Sequence, residues 1–486
     1  MERLAGKTWK ESKNMWFIAA PAIATAIFQF SLGFVTSAFV GHLGAAELAA
    51  VSIVQNVVEG FAYGILLGMG SALETLCGQA VGVGQLNMLG IYMQRSWVIT
   101  GATALLMTPI YVFTSPLLKL LRQSGDISEL AGRYSRWVIP QLFAYAMNFP
   151  LQKFFQSQSR VWVMTGISGV VLGIHTLLTW VFVTTLGRGL VGAAIAGNIS
   201  WWLVNLAQMV YLVSGYFPEA WRGFSLSAFR SLYAFVKLSL ASAVMLCLEL
   251  WYYTAVIILV GCLKNPHIQV DAISICMNYQ LWALMVALGF NAARSRLQRA
   301  GAGHPKAAKF SVAVAVSTSA AVGVIFAAVL LITRVHLPRL FTDIPEVERE
   351  TAKLAYLLAP TILLNSIQPV LSGVAIGAGW QSSVAFINTG CYYLFGLPVG
   401  AVLGFKLNLN ALGIWSGMLV GCLLQTVILV VIIARTNWQR EASLAEDRIR
   451  TWGGRPSPLG SRSSCKTPLG PMIDPNEGSF LSLGNP

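Results

Sequence analysis

The chain has 486 residues, of which 56% are hydrophobic and 11% charged, with a mean hydropathy of +0.65 and a formal net charge of +14. A soluble globular chain carries about 25% charged residues, so this composition excludes that class and reads as a polytopic membrane protein. The basic excess is not a nucleic-acid face. Assigned to the loops between apolar runs, Lys and Arg fall about two to one on the side that carries both termini, the bias that places those termini in the cytosol.

Apolar runs of about 20 residues predict twelve spans, at 16–40, 46–72, 94–117, 136–157, 161–185, 189–215, 233–260, 271–293, 309–334, 353–377, 382–404 and 411–434. The expected fold class is an all-α polytopic membrane protein with twelve transmembrane helices in two pseudo-symmetric six-helix lobes. The boundaries give a cytosolic N-terminal segment 1–15, a lobe 16–215, an inter-lobe cytosolic loop 216–232, a second lobe 233–434 and a cytosolic tail 435–486. From about 453 the tail is rich in Pro, Gly and Ser, which predicts disorder. The first apolar run is too long for a signal-peptide core and contains Pro21.

Polar residues inside apolar runs carry the functional reading, because an ionisable group in hydrocarbon is expensive and marks a pathway by default. Span 2 holds Gln55, Asn56 and Glu59, and ends in Glu74 and Gln79. Glu59 reads as a second titrating group or a cavity wall, Glu74 as an interfacial contact or a functional carboxylate. Span 4 carries Pro140 and Pro150, and span 10 carries Pro360 and Pro369. Paired prolines at matching places predict broken helices, or else ordinary kinks. His175 in span 5 reads as a satisfied core residue, and Asn198 heads a glycosylation sequon that is buried within span 6.

Span 7, "SAVMLCLELWYYTAVIILVGCL", contains Glu249 with no Lys or Arg within a turn. An unpaired carboxyl in an apolar medium favours its neutral form and exchanges a proton as water access changes, as a proton-coupled carrier requires. Tyr252 and Tyr253 lie at i+3 and i+4 on the same face and are expected to satisfy the neutral form. The alternative is a structural Glu bonded to another helix. Asn278 and Tyr279 in span 8, Asn365 and Gln368 in span 10, and Asn388, Tyr392 and Tyr393 in span 11 complete the set. Amphipathic groups of this kind suit an organic solute; the competing reading is that Asn and Gln join helices.

The chain repeats at half length. "VGVGQLN" at 81–87 is echoed by "AGAGHPK" at 300–306, "IPQLFAYAMNFP" at 139–150 by "APTILLNSIQP" at 359–369, and "GLVGAAIAG" at 189–197 by "NALGIWSG" at 410–417. Halves with an even number of spans keep one orientation, so an axis along the membrane normal relates them and a solute site lies between them.

The seven Cys and five His make no metal-ligand spacing. Cys77, Cys247, Cys262, Cys276, Cys391 and Cys422 lie in or beside spans, and Cys465 in the tail. No G-x-x-x-x-G-K-[ST] loop appears, and no nucleophile–base constellation, so neither ATP-driven transport nor an enzyme is expected, and no cofactor.

"FVGHLGAAELAAVSI", "GMGSALETLCGQAVGVGQLNMLGIYMQRSW", "ASAVMLCLELWY", "DAISICMN", "LLNSIQPVLSGVAIGAGWQ" and "GCYYLFGLPVG" together resemble the plant DETOXIFICATION branch of the multidrug and toxic compound extrusion (MATE) family over about residues 10–453. The resemblance is nearest to members associated with vacuolar flavonoid transport. It implies two six-helix lobes and antiport of organic solutes against protons or sodium. It also implies that Glu249, in "CLELWY", matches the proton-coupling Glu of the seventh helix. Where some relatives add an Asp on the tenth helix, this chain has Asn365, which leaves Glu249 the main carboxylate of its lobe. The chain departs from the family pattern "SVRVSNELGAG" with "RSRLQRAGAG" at 294–303. The expectation is therefore a monomeric, proton-coupled exporter of organic solutes such as flavonoid conjugates, resident in the vacuolar membrane or else the plasma membrane. The alternatives are sodium coupling, a lipid flippase, a channel, or a transport-impaired variant caused by 294–303.

Overall fold

A computed structural model describes residues 2–441, apart from 83, 122, 231, 264–265, 302–304, 341–343 and 438–439. Every regular element among the described residues is helical: twelve consecutive rods and two short 3-10 turns, Leu226–Phe229 and Leu337–Leu340. They are α1 (Glu2–Gly41), α2 (Ala45–Val81), α3 (Asn87–Val112 with Thr114–Leu120), α4 (Gly125–Trp137 with Ile139–Ser157), α5 (Val161–Thr185), α6 (Gly189–Val213), α7 (Leu232–Gly261), α8 (Pro266–Gly301), α9 (Pro305–Thr333), α10 (Pro345–Ala378), α11 (Gln381–Lys406) and α12 (Asn410–Arg435). Ten are long and apolar enough by themselves to cross a membrane. α3 makes an eleventh once its two pieces, bent by 59° after Val112, are taken as one span. α4 is the least apolar, because Gln141 and Asn148 are buried inside it and Gln152 and Lys153 follow.

Helix packing repeats as the sequence does. Within the first half α2 packs on α4, α3 on α4, α4 on α6 and α1 on α5; within the second, α8 packs on α10, α9 on α10, α10 on α12 and α7 on α11. Two long seams join the halves, α1 against α8 and α2 against α7, and each is the symmetry counterpart of the other. The tight turns before α6 and α12 match too. Gly187 and Gly189 have φ of 58° and 55°, and Asn408 and Asn410 have φ of 54° and 51°. Only Gly, or Asn among ordinary residues, holds that left-handed region cheaply, so the echo "GLVG"/"NALG" is a turn requirement met by two residue types.

The paired prolines behave differently in the two halves. α4 is interrupted at Val138, just ahead of Pro140, and Pro150 lies inside its second piece. α10 runs unbroken from Pro345 to Ala378 through both Pro360 and Pro369, so the expectation of matching breaks is corrected. Each proline removes one N–H from the ladder, the one that would reach Tyr356 O or Asn365 O, and hydroxyls bond neighbouring carbonyls of the same helix. Thr361 Oγ1 donates to Leu357 O at 2.7 Å, Ser366 Oγ to Ile362 O at 2.8 Å and Ser319 Oγ on α9 to Ser366 O at 2.5 Å. α8 continues as helix through the atypical segment to Gly301. The side chains of 294–301, residues 302–303 and the tail from 453 lie outside the described residues.

The segment between the lobes is not a free loop. Gln94 Nε2 donates to Gly223 O at 2.9 Å, Gln94 Oε1 accepts from Ser225 N at 2.8 Å and Arg95 donates to Ser227 O at 3.2 Å. These bonds lay the segment against the start of α3.

Candidate substrate and ion site

Glu249 lies half-buried on α7 with Gln368 of α10 near it, and the Gln368 amide donates to Ser372 Oγ at 3.1 Å. The two tyrosines on its face bond elsewhere. Tyr253 Oη donates to Asn365 Oδ1 at 3.3 Å, and Tyr252 Oη donates to Met418 O at 3.3 Å. The expectation that tyrosine hydroxyls satisfy Glu249 is therefore corrected: both are engaged on other helices. The reason is reach: i+3 and i+4 place the tyrosine rings on the face of Glu249, but a ring's length carries its hydroxyl across to the next helix.

A buried polar network continues from there. Tyr252 stacks on Tyr392, 4.3 Å between centroids and 6° from parallel. Tyr392 Oη donates to Gln425 Oε1 at 2.9 Å, Gln425 Nε2 donates to Asn388 Oδ1 at 2.9 Å, and Asn388 Nδ2 donates to Met245 O at 3.4 Å on the helix of Glu249. Tyr393 Oη donates to Leu248 O at 2.8 Å. Tyr392 and Tyr393 stand in a π-helical turn, Thr389–Gly396. Such turns shift side-chain register and recur at functional sites. Five of the residues singled out in the sequence, Glu249, Asn365, Gln368, Asn388 and Tyr392, thus meet between α7, α10, α11 and α12. Gln425 joins them unannounced. The signal for Gln425 was present, since it is the one amide in the run "CLLQTVILVV".

The first lobe has its own cluster. Glu59 ends a second π-helical turn, Val54–Glu59, and is only 7% exposed. Gln141 Nε2 donates to Glu59 Oε2 at 3.5 Å and also to the Tyr145 hydroxyl, while Glu59 Oε1 has no hydrogen-bond partner. Tyr111 and Tyr134 stand near the carboxyl, and Gln55 Nε2 donates to Gly33 O at 3.5 Å. Gln55 Oε1 in turn accepts from Ser37 Oγ at 2.8 Å. Gln141 was visible in "IPQLF" but carried no assignment, because an amide beside a proline has no chemistry of its own until a carboxyl packs on it.

Other candidates sit apart. Asn278 is exposed, and its amide donates to Ser274 O of its own helix at 2.9 Å. Glu74 pairs with Lys153 of α4 at 2.9 Å, with both side chains largely buried. Gln79 Nε2 reaches across to Gly377 O at 3.1 Å. His175 has both ring nitrogens engaged, Nδ1 by Ser200 Oγ at 2.9 Å and Nε2 by Leu32 O at 3.0 Å. Gln29, 220 residues before Glu249, is a neutral amide bonded by Gln152 at 2.9 Å.

Among the described residues no group of three or more His, Cys, Asp or Glu is arranged to hold a metal.

Comparison with known proteins agrees with this architecture. The MatE family model matches residues 21–181 and 241–402, one copy in each half. The chain is 54% identical over 457 residues to Protein DETOXIFICATION 33 of Arabidopsis thaliana, covering 93% of this chain and 94% of that protein. It is 53% identical over 449 residues to Protein DETOXIFICATION 31 of the same plant, covering 92% and 86%. Among solved structures, the eukaryotic MATE transporter AtDTX14 superposes with a TM-score of 0.86 at 31% identity, over 91% of this chain and 99% of that one. The Vibrio cholerae MATE transporter VcmN, at 18% identity and a TM-score of 0.76, shares the fold over 90% and 98%. With the half-chain repeat, the twelve rods and the two symmetric seams, these matches establish that the chain belongs to the MATE family of membrane transporters.

Proposed function

We propose that this antiporter is driven by protons and exports organic solutes, such as flavonoid conjugates, from the cytosol across the vacuolar membrane. The observation that carries the reading is Glu249, a carboxyl inside an apolar helix with an amide, Gln368, and no described cation beside it. Such a group can hold a proton when the cavity is dry and release it when water enters. The parsing that fits is a first lobe 16–215, an inter-lobe segment 216–232 and a second lobe 233–434, acting as a monomer with both termini cytosolic. Rocking of the lobes then exposes the cavity on alternate sides. Asn365, Gln368 and Tyr253 supply polar and aromatic contacts for the solute in the second lobe, held in place by the buried Asn388, Tyr252 and Tyr392, and Gln55 and Glu59 do so in the first; Asn278 is exposed and bonded within its own helix. Glu74 and Gln79 hold helices together. Pro140, Pro150, Pro360 and Pro369 allow α4 and α10 to bend.

The test is Glu249→Gln in purified, reconstituted protein. Uptake of a flavonoid glucoside driven by an imposed pH gradient is expected to vanish, with Tm and elution profile retained. Uptake unchanged by the substitution would overturn the coupling role. Replacing the proton gradient with a sodium gradient in the parent protein discriminates the coupling ion.

A further inference from the structure

Two aromatic contacts cross between the lobes. Phe61 of α2 stacks on Trp251 of α7, 5.7 Å between centroids and 7° from parallel. Phe30 of α1 meets Trp282 of α8 edge to face, at 6.2 Å and 74°. These are the two symmetric seams, and the rings correspond: Trp251 follows Phe30, and Trp282 follows Phe61, by the same 221 residues. Each seam therefore joins one Phe of the first lobe to one Trp of the second. All four rings are part-exposed, at 43% for Phe30, 36% for Phe61, 45% for Trp251 and 52% for Trp282.

Both seams tighten in the same direction. Seven residues beyond Phe61, a Cβ on Gly68 would fall 2.4 Å from Ala243 Cα; seven beyond Trp282, a Cβ on Gly289 would fall 2.1 Å from Ile23 and 3.0 Å from Ala19 O. Glycine here permits backbone-close packing between membrane helices. Further along α2, Thr75 Oγ1 donates to Ile376 O at 2.7 Å and Gln381 Nε2 donates to Thr75 Oγ1 at 2.8 Å. Towards the side that carries the termini the lobes touch through glycine and hydrogen bonds. Away from it the two ring pairs bridge them.

We propose that the two ring pairs are twin sites for planar aromatic solutes: a flat solute inserts at each pair as the lobes part, replacing ring-on-ring contact by ring-on-solute contact. The parallel Phe61–Trp251 pair offers two flat walls, and all four rings are part-exposed. Stacking has no charge to desolvate and tolerates varied substituents, so the seam selects for planarity rather than for one compound. Glu249 lies two residues before Trp251, on a different face of α7, so the ring slot is separate from the carboxyl. The proposal rests on the transport reading only for its consequence, not for the binding itself.

The test uses the full chain with Cys262 and Cys465 replaced by Ser. Gly64→Cys with Leu250→Cys, which face each other across the α2–α7 seam beside the Phe61–Trp251 pair and leave all four rings in place, are cross-linked by a short bis-methanethiosulfonate reagent. A planar flavone is expected to slow cross-linking severalfold, and its fully hydrogenated, non-planar analogue to leave it unchanged. In the otherwise intact chain, Trp251→Ala is expected to weaken flavone binding threefold to tenfold, a range about that of one aromatic pair, and Trp251→Phe to restore it. Equal protection by both compounds, or no loss in Trp251→Ala, overturns the proposal. If Glu249→Gln leaves proton-driven uptake unchanged while flavone still protects the cross-link, the coupling reading falls and the planar site stands. If Glu249→Gln abolishes that uptake while flavone gives no selective protection, the planar site falls and the coupling reading stands.

Discussion

Gln425 on α12 holds Asn388 and Tyr392 of α11 at once, donating to the first and accepting from the second, each at 2.9 Å. Its amide is fully buried, as is Asn388. A single side chain thus closes the polar circuit that runs from Tyr392 back to the helix of Glu249. Replacing it by Leu strands two polar groups where no water can reach. Leaving buried groups unpaired costs about 1–3 kcal/mol each, although the bundle can re-pair part of that. The Gln425→Leu variant is expected to lose several degrees of Tm in detergent, with Gln425→Glu at low pH recovering most of it. An unchanged Tm would place the network outside the stability of the lobe.

Asn365 stands where a second carboxyl can be tested. Its oxygen already accepts from Tyr253, while its amide nitrogen is buried with no hydrogen-bond partner. Asn365→Asp keeps the acceptor and adds a titrating group near Glu249, and two interacting carboxyls titrate as a pair. The pH profile of gradient-driven uptake is expected to steepen from a one-proton towards a two-proton slope. Asn365→Ala is expected to change solute affinity more than proton dependence, and competition binding across pH separates the two effects.

Glu59 offers a stability test in the first lobe. With one carboxyl oxygen open in a buried site, an ionised carboxylate is more costly than the isosteric amide. Glu59→Gln is expected to raise Tm by a few degrees at pH 8 and by less at pH 5, where the parent carboxyl can be neutral. Thermal melts of both proteins at the two pH values decide it. A larger gain at pH 5 contradicts the burial argument.

Thr75 fastens α2 to the end of α10 and the start of α11. Thr75→Val removes both bonds without changing volume. Two bonds of about 1 kcal/mol each shift a two-state equilibrium by tenfold or more, away from the state in which the terminus-bearing side is closed. Labelling of Gln79→Cys by an impermeant thiol reagent from that side is expected to rise by about that factor. Equal labelling rates with and without Thr75→Val would mean that the Gly68 and Gly289 contacts alone keep the side shut.

What the sequence by itself determined is what hydrophobicity and repetition encode. Twelve apolar runs, the repeat near 220 residues and the isolated Glu249 were all legible, because a bilayer forces long runs to be helical and makes a carboxylate conspicuous. Tertiary structure alone decided partners. Periodicity placed Tyr252 and Tyr253 on the face of Glu249, but ring length sent their hydroxyls to Met418 and Asn365 and left Gln368 beside the carboxyl. Prolines at matching places predicted two broken helices, but α10 is whole while α4 breaks at Val138. Gln141 and Gln425 were visible as letters and silent as chemistry. An amide acquires a role only when another helix brings it a partner, and that choice belongs to the packing.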